Sequence, residues 1–268
     1  MKELTLPTRV ARSGFDEHWW FGRAVFGELL GHESLLGLVM LAACGRRPTE
    51  EERSLLDEIA VVLTVADARI WPLKIARVLA SYGGVMAGFG GAQLCVESDA
   101  LGPWLSELAA EMLVEVRRAA GDDGDDARFD AAARAAVEAR PMPYGYGVPL
   151  RASDERFAAL ERRLEARGRT ALPYWRTQAR LSAWLRAERD VAPNVGVGVA
   201  AALLDMGLDP VAGRVLSIFA MEHLFLAHAV EGAAQRAEVL RALPDERVEY
   251  TGPAARLSPR AAEKARAR

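Results

Sequence analysis

The sequence predicts an all-α fold. Apolar residues recur at spacings of three and four through nearly every long segment, and the alternating β-branched pattern of strands is scarce. Helix starts are also marked by side chains able to cap free backbone amides, and helix ends by glycine. The chain has 268 residues, 51% hydrophobic and 26% charged, which is enough to bury a sizeable core.

The elements follow in order. Ala24–Gly45 and Ile75–Val96 are long and apolar around much of their circumference, as are Pro103–Ala120 and Pro210–Leu243. Between the first two, Thr49 and Glu52 form a capping box for a helix carrying Leu55, Ile59 and Leu63 on one face. The segment "SDERFAALERRLEARG" repeats the design, with Ser153 as cap, acids in the first turn, Phe157, Leu160 and Leu164 on one face, and Gly168 as stop. "AAGDDGDDARFD" is an acidic, solvated connection, and "RPMPYGYGVPL" places three prolines and two glycines in eleven residues, a loop of the kind that lines binding sites. "APNVGVGVAAALLDMGLDP" starts a buried helix on Asn194 yet sets two glycines in its first turn, each costing about 1 kcal/mol relative to alanine.

The totals exclude several classes. A net charge of −3 gives no footprint for nucleic acid. Cys44 and Cys95 lie in apolar surroundings without metal-ligand or disulfide spacing and read as buried thiols of a reducing compartment; no metal site is indicated. No signal-peptide core opens the sequence, and no uninterrupted apolar run approaches the roughly 20 residues that span a bilayer. The expectation is a cytoplasmic protein without a membrane or nucleic-acid partner.

An ordered set of segments resembles the citrate synthase superfamily, and in length its short citryl-CoA lyase-like members. "ELLGHESLLGLVMLAACGRRPTEEE" is similar to the family segment ending Gly-x-x-Pro-Thr-x-x-Glu, and "ARVLASYGG" to its Ala-Arg-Val-x-Ala-Ser-Thr-Gly. "PYGYGV" resembles Gly-Phe-Gly-His-Arg-Val, "PNVGVG" resembles Pro-Asn-Val-Asp with its following helix, "IFAMEHLFLAHAVE" the Ala-His-x-x-Glu helix, and "RVEYTGP" the closing Tyr-x-Gly-Pro. "FGGA" at Phe89–Ala92 invites alignment with the family's His-Gly-Gly-Ala, but ungapped spacing from both sides puts that motif at Gly102–Leu105. The resemblance implies a large helical domain (1–101 and 197–268), a small one (102–196) closing over a cleft, and a homodimer packed through "GGVMAGFGGAQL".

It also implies chemistry that the residues do not supply. In the family an aspartate deprotonates a carbon acid beside a thioester, one histidine donates to the enol oxygen, a second polarises the attacked carbonyl, and arginines clamp carboxylates. Carried over, the base falls on Gly196 and the enol-stabilising histidine on Gly102. The carbonyl-polarising histidine falls on Tyr146, followed by Gly147 where the lyase-like pattern has arginine. The histidine after Ala-Asp falls on Ala68, and two arginines fall on Met221 and Asp245. Only Asp-x-Arg persists, as Asp154, Glu155 and Arg156, displaced by one residue. Each lost acid or base supplies roughly 10²–10⁴ in rate, so citrate synthesis or citryl-CoA cleavage by the standard route is not expected. The replacements are smaller and less charged, and imply a pocket for a small-molecule ligand bulkier and less anionic than oxaloacetate.

The catalytic candidates are Tyr146, Asp67 and Arg69. Tyr146 offers a hydroxyl where the imidazole stood or else fills the cavity; Asp67 and Arg69 flank the lost histidine or else pair with each other. The substrate-binding candidates are Arg156, Lys74, His223, Met221, Asn194 and Gly196, and Tyr144 and Gly145 are candidates for holding a CoA thioester. His228, His18 and His32 read as structural or exposed, and Trp19, Trp20 and Trp71 as core or interface. Two functions stay open: a repurposed enzyme acting on an acyl thioester or related carbonyl compound, and a catalytically silent dimeric scaffold that binds a ligand or partner.

Overall fold

A computed structural model describes residues 5–64, 68–96, 98, 102–121, 125–148, 152–237, 245–247, 249 and 251–252. Residues Met1–Gln235 form one unit and Arg236–Arg268 a second. In the second, the regular structure among the described residues is a single 3₁₀ turn, Asp245–Arg247.

The first unit opens with an antiparallel meander that the periodicity did not signal: β1 (Ala11–Ser13), β2 (His18–Trp20) and β3 (Arg23–Ala24). Arg12 lies over the Trp19 ring at 3.9 Å. Glu17 caps the following turn by accepting from the Phe26 and Gly27 amides, and these bonds hold its carboxyl below the usual range against the cost of desolvation. Trp19 and Trp20 are half-buried, whereas Trp71 is exposed.

Helices make up the rest: α1 (Leu35–Cys44), α2 (Glu50–Val62), α3 (Trp71–Gly83), α4 (Val85–Cys95), α5 (Pro103–Ala120), α6 (Asp126–Glu138), α7 (Glu155–Ala166), α8 (Pro173–Arg189), α9 (Val195–Leu204), α10 (Pro210–Ala220) and α11 (Glu222–Ala233). The Thr49–Glu52 capping box starts α2, and Leu55, Ile59 and Leu63 are buried as their spacing requires. In α7, Phe157, Leu160 and Leu164 face the core. Its cap, however, is Asp154 rather than Ser153: the chain turns into the helix one residue later, leaving Ser153 exposed. Both cysteines are free thiols, half-buried rather than fully enclosed, and burial pushes each above its usual pKa.

Two groups of helices build the core. In one, α3, α4 and α11 pack on one another. Arg77 of α3 pairs with Glu231 of α11 and contacts His228 Nδ1 at 3.0 Å, giving His228 a structural role. In the other, α5 packs against α6, α9 and α10, and α9 also meets α7 and α8. Nine of the ten residues of α9 are buried. The second of its unusual glycines belongs to this packing: a Cβ on Gly198 would lie 3.1–3.3 Å from the Phe157 ring and the Leu160 side chain of α7. The helix cost of that glycine is offset by close approach of a neighbour. The segment Pro210–Ala233 is long and apolar enough to cross a membrane by length and composition, but its Leu216, Ala220, Leu224, Phe225 and Ala229 are buried within the core.

Candidate functional site

The starts of α5, α7 and α9 converge with the end of α2, the start of α3, the loop 143–148 and the junction of α10 and α11 around a cavity of about 370 Å³. The loop is stitched to the start of α9. The Gly147 amide donates to Ala192 O (2.7 Å), the Asn194 amide to Gly145 O (2.9 Å), and Asn194 Nδ2 to Gly147 O (3.0 Å). Asn194 Oδ1 in turn accepts from the Gly196 amide at 2.8 Å, capping α9. One asparagine therefore fixes both the helix and the loop beside it.

Asp154 ties α7 to the same corner. It is 4% exposed and accepts from the Arg156 amide, from Arg156 Nε and Nη2, each at 3.0 Å, and from the Val195 amide at 2.9 Å. Burial disfavours its ionised form, but the Arg156 guanidinium and the Val195 amide outweigh that and hold the carboxyl below its usual value. Asp154 is thus poorly suited to take a proton. Its partner Arg156 lines the cavity with its charge already balanced.

Most of the remaining wall is hydrocarbon: Leu63, Ile70 and Leu73, then Leu105, Val148 and Val195, then Met221, Leu224 and Phe225. Gly102, Gly147 and Gly196, three positions where the resemblance sets catalytic side chains, all line it, as does Met221. A Cβ on Gly196 would stand 2.9 Å from Asn194 Oδ1 and 3.6 Å from Ser106 Oγ, so a carboxylate here would crowd the cap of its own helix.

Of the sequence-derived candidates, the cavity brings together Arg156, Met221, Asn194, Gly196 and Gly145. Tyr146 is elsewhere. It is 3% exposed and its hydroxyl faces Gln178 O of α8 at 3.4 Å; burial raises its pKa well above the usual range despite a hydrogen bond with Ser182. The reason is alternation: the loop is extended through Tyr146, which bridges to Pro193, so Gly145 and Gly147 face the cavity while the residue between them faces the other way. Tyr144 is half-buried against the core outside the lining. Lys74 is exposed on α3, and His223 is exposed with Nε2 2.9 Å from Thr64 Oγ1. Arg69 is exposed, engaged by a partner and outside the lining, and Asp67 lies outside the described residues. Residues that the sequence did not single out include Ser106, Leu224 and Phe225. Ser106 is one helical turn beyond Gly102, and Leu224 one turn beyond Met221, spacings that could have found both.

No known family profile matches the sequence, and no curated protein matches it either. Solved structures do match. Citryl-CoA lyase from Hydrogenobacter thermophilus superposes with a TM-score of 0.77 at 22% identity, covering 96% of this chain and 99% of that one. ATP citrate lyase from Methanothrix soehngenii, solved with citrate and coenzyme A, gives 0.71 at 14% identity over 97% of this chain and 43% of that one. Citrate synthase from Thermoplasma acidophilum, solved with carboxymethyl coenzyme A and oxaloacetate, gives 0.59 at 15% identity over 86% and 60%. The helical order, the cavity at the converging helix starts and these superpositions agree: the chain has the citrate synthase fold at the length of a citryl-CoA lyase.

Proposed function

We propose that this chain is a repurposed citrate synthase-fold protein that takes an acyl thioester with an aliphatic acyl group into the cavity. The observation that carries this function is the lining: a wall of hydrocarbon in which Arg156, the one cation among the described lining residues, is balanced by Asp154. A tricarboxylate placed there would lose its hydration without gaining counter-charge, which is strongly unfavourable. An alkyl chain gains about 0.8 kcal/mol for each methylene it buries. CoA thioesters are the substrate class because the fold neighbours solved with ligands hold coenzyme A or a derivative. Gly145 and Tyr144 remain the proposed contacts for it, and the lobe 102–196 is proposed to close over it, in the cytoplasm. A catalytically silent scaffold is a second reading, favoured by one observation: Asp154, the one carboxylate among the described lining residues, is saturated with donors.

Thermal unfolding with CoA, acetyl-CoA, hexanoyl-CoA and citrate tests the proposal. Hexanoyl-CoA at a hundredfold excess over its dissociation constant is expected to add about 2.7 kcal/mol of stability, and citrate none. Stabilisation by citrate with no response to hexanoyl-CoA overturns it. Release of free thiol from hexanoyl-CoA separates the enzyme from the silent scaffold.

A homodimer belongs to the same proposal. Met86 and Leu94 of α4 are 73% and 78% exposed, and Leu79 and Tyr82 of α3 and Leu226 and Val230 of α11 are exposed on the helices packed beside it. Light scattering is expected to give twice the chain mass for the native protein and the single-chain mass for Met86→Glu/Leu94→Glu. A monomeric native protein at micromolar concentration contradicts it.

A further inference from the structure

Another cavity, of about 230 Å³, opens at the far end of α5, where its last turn meets the start of α6 and the first turns of α8. Leu105 lines the hydrocarbon-walled cavity and Arg117 this one, twelve residues or about 18 Å of helix apart. The two linings are opposite in character. Here three arginines, Arg117, Arg176 and Arg180, stand beside Phe129, Thr177 and Gly121, and no acid is among the described lining residues. Arg176 and Arg180 are four apart on α8, the spacing at which like charges repel, yet both line the same space, and Arg117 meets them from α5. Aromatic rings support two of the three: the Arg180 guanidinium lies 4.1 Å from the Phe129 centroid, and that of Arg117 5.5 Å from the Tyr174 centroid. Arg180 also pairs with the exposed Asp126, and Arg117 has a further partner. Arg176 is exposed and has no carboxylate partner among the described residues. A fourth cation, Arg128, donates through Nε to Ala119 O and lies beside Gly121 at the rim. Asp205 is outside the lining and already accepts from the Tyr174 and Trp175 amides. Asp122 and Asp123 lie outside the described residues.

We propose that this cavity binds the phosphoryl group of a phosphorylated small molecule, held by Arg117, Arg176 and Arg180 at a site separate from the acyl cavity. Cations gathered into one concave space repel one another until an anion enters, and guanidinium forks match phosphate oxygens in pairs. The number of arginines selects the anion. A carboxylate has two oxygens in one plane and is satisfied by a single fork, whereas a phosphoryl group presents three oxygens in different directions to arginines arriving from two helices. The volume admits a phosphoryl group with a few attached atoms. The assignment does not depend on what the acyl cavity holds, because the two linings share no residue.

The test is titration calorimetry with inorganic phosphate at constant ionic strength, set with potassium chloride so that general screening is held fixed. The native protein is expected to show saturable binding with a dissociation constant of about 1 mM or tighter. Arg176→Gln, a change at an exposed position, is expected to weaken it about tenfold, the worth of a charge-assisted hydrogen bond. Arg118→Gln removes the same charge from an exposed position of α5 outside the lining and is expected to change it less than about twofold. Phosphate binding is expected to persist when the acyl cavity is offered saturating hexanoyl-CoA. No saturable binding below about 10 mM phosphate, or equal losses in the two variants, overturns the site. Binding that appears only in Asp122→Asn/Asp123→Asn overturns it too, by showing that acids of the chain itself occupy the arginines. Competition by hexanoyl-CoA that disappears in Arg176→Gln overturns the separation, because the arginines then hold the phosphates of that ligand. Failure of hexanoyl-CoA to bind at all contradicts the acyl-thioester proposal and leaves the phosphate result to be judged by itself.

Discussion

Asp154→Ala is expected to lower the free energy of unfolding by about 3 kcal/mol, measured by urea denaturation at neutral pH. The carboxylate caps α7, accepts from the first amide of α9, and neutralises Arg156. Removing it leaves a buried amide and a two-thirds-buried guanidinium unpaired. Loss of a cap costs about 1 kcal/mol, and stranding a buried partner costs more than the pair contributed when intact. Asp154→Asn, which keeps one acceptor, is expected to fall between. The pH dependence has a definite sign. Because the folded state holds this carboxyl below its unfolded value, its contribution is fully present above the ordinary aspartate pKa, about 3.9, and is lost as pH falls through the lower folded value. The native protein should therefore lose stability relative to Asp154→Asn only in that acid range. A destabilisation below about 0.5 kcal/mol for Asp154→Ala at neutral pH would show that the starts of α7 and α9 do not depend on this group.

Gly145→Ala is expected to cost about 3–5 kcal/mol. Gly145 has φ +79°, and a Cβ there would lie 2.7 Å from Val197 Cβ and 2.8 Å from its backbone nitrogen. Backbone strain at a positive φ costs on the order of 1–3 kcal/mol, and overpacking against an immovable helix turn adds a similar amount. Relief would require the loop 143–148 to draw away from α9, breaking the bonds from Asn194 to Gly145 and Gly147 and opening the cavity wall. Gly147→Ala offers a control at nearly the same dihedral, φ +84°, where the nearest atom is Val191 Cγ1 at an ordinary 3.9 Å, so its loss should be limited to the strain. Equal melting temperatures for the two variants would contradict the close approach at Gly145.

The helices and their caps were legible because their signals are local. Thr49 and Glu52 are three residues apart, and the buried faces of α2 and α7 repeat within one helix. Signals that depend on a distant partner were not legible. Gly198 reads as a weakness in α9 until α7 is placed against it, and Asp154 reads as part of an Asp-x-Arg element until Val195 arrives from forty-one positions away. The meander at 11–24 escaped because strands of two and three residues are too short to display alternation. Tyr146 was placed on the wrong side of its loop because the carry-over fixed its position along the chain, whereas the extended conformation decides its direction. Met221, Asn194 and Gly196 came out at the cavity because they sit at helix boundaries, and the fold gathers those boundaries there.

The central proposal is that the helices of this fold surround a hydrocarbon-walled cavity where the family resemblance implies proton-transfer groups and an anion clamp. The most direct measurement is the binding free energy of acetyl-, butyryl-, hexanoyl- and octanoyl-CoA by titration calorimetry, with citrate as competitor. Affinity is expected to rise by about 0.8 kcal/mol per methylene until the chain fills the cavity, with citrate failing to compete. Affinity that is flat or falls with chain length, together with displacement by citrate, would contradict it.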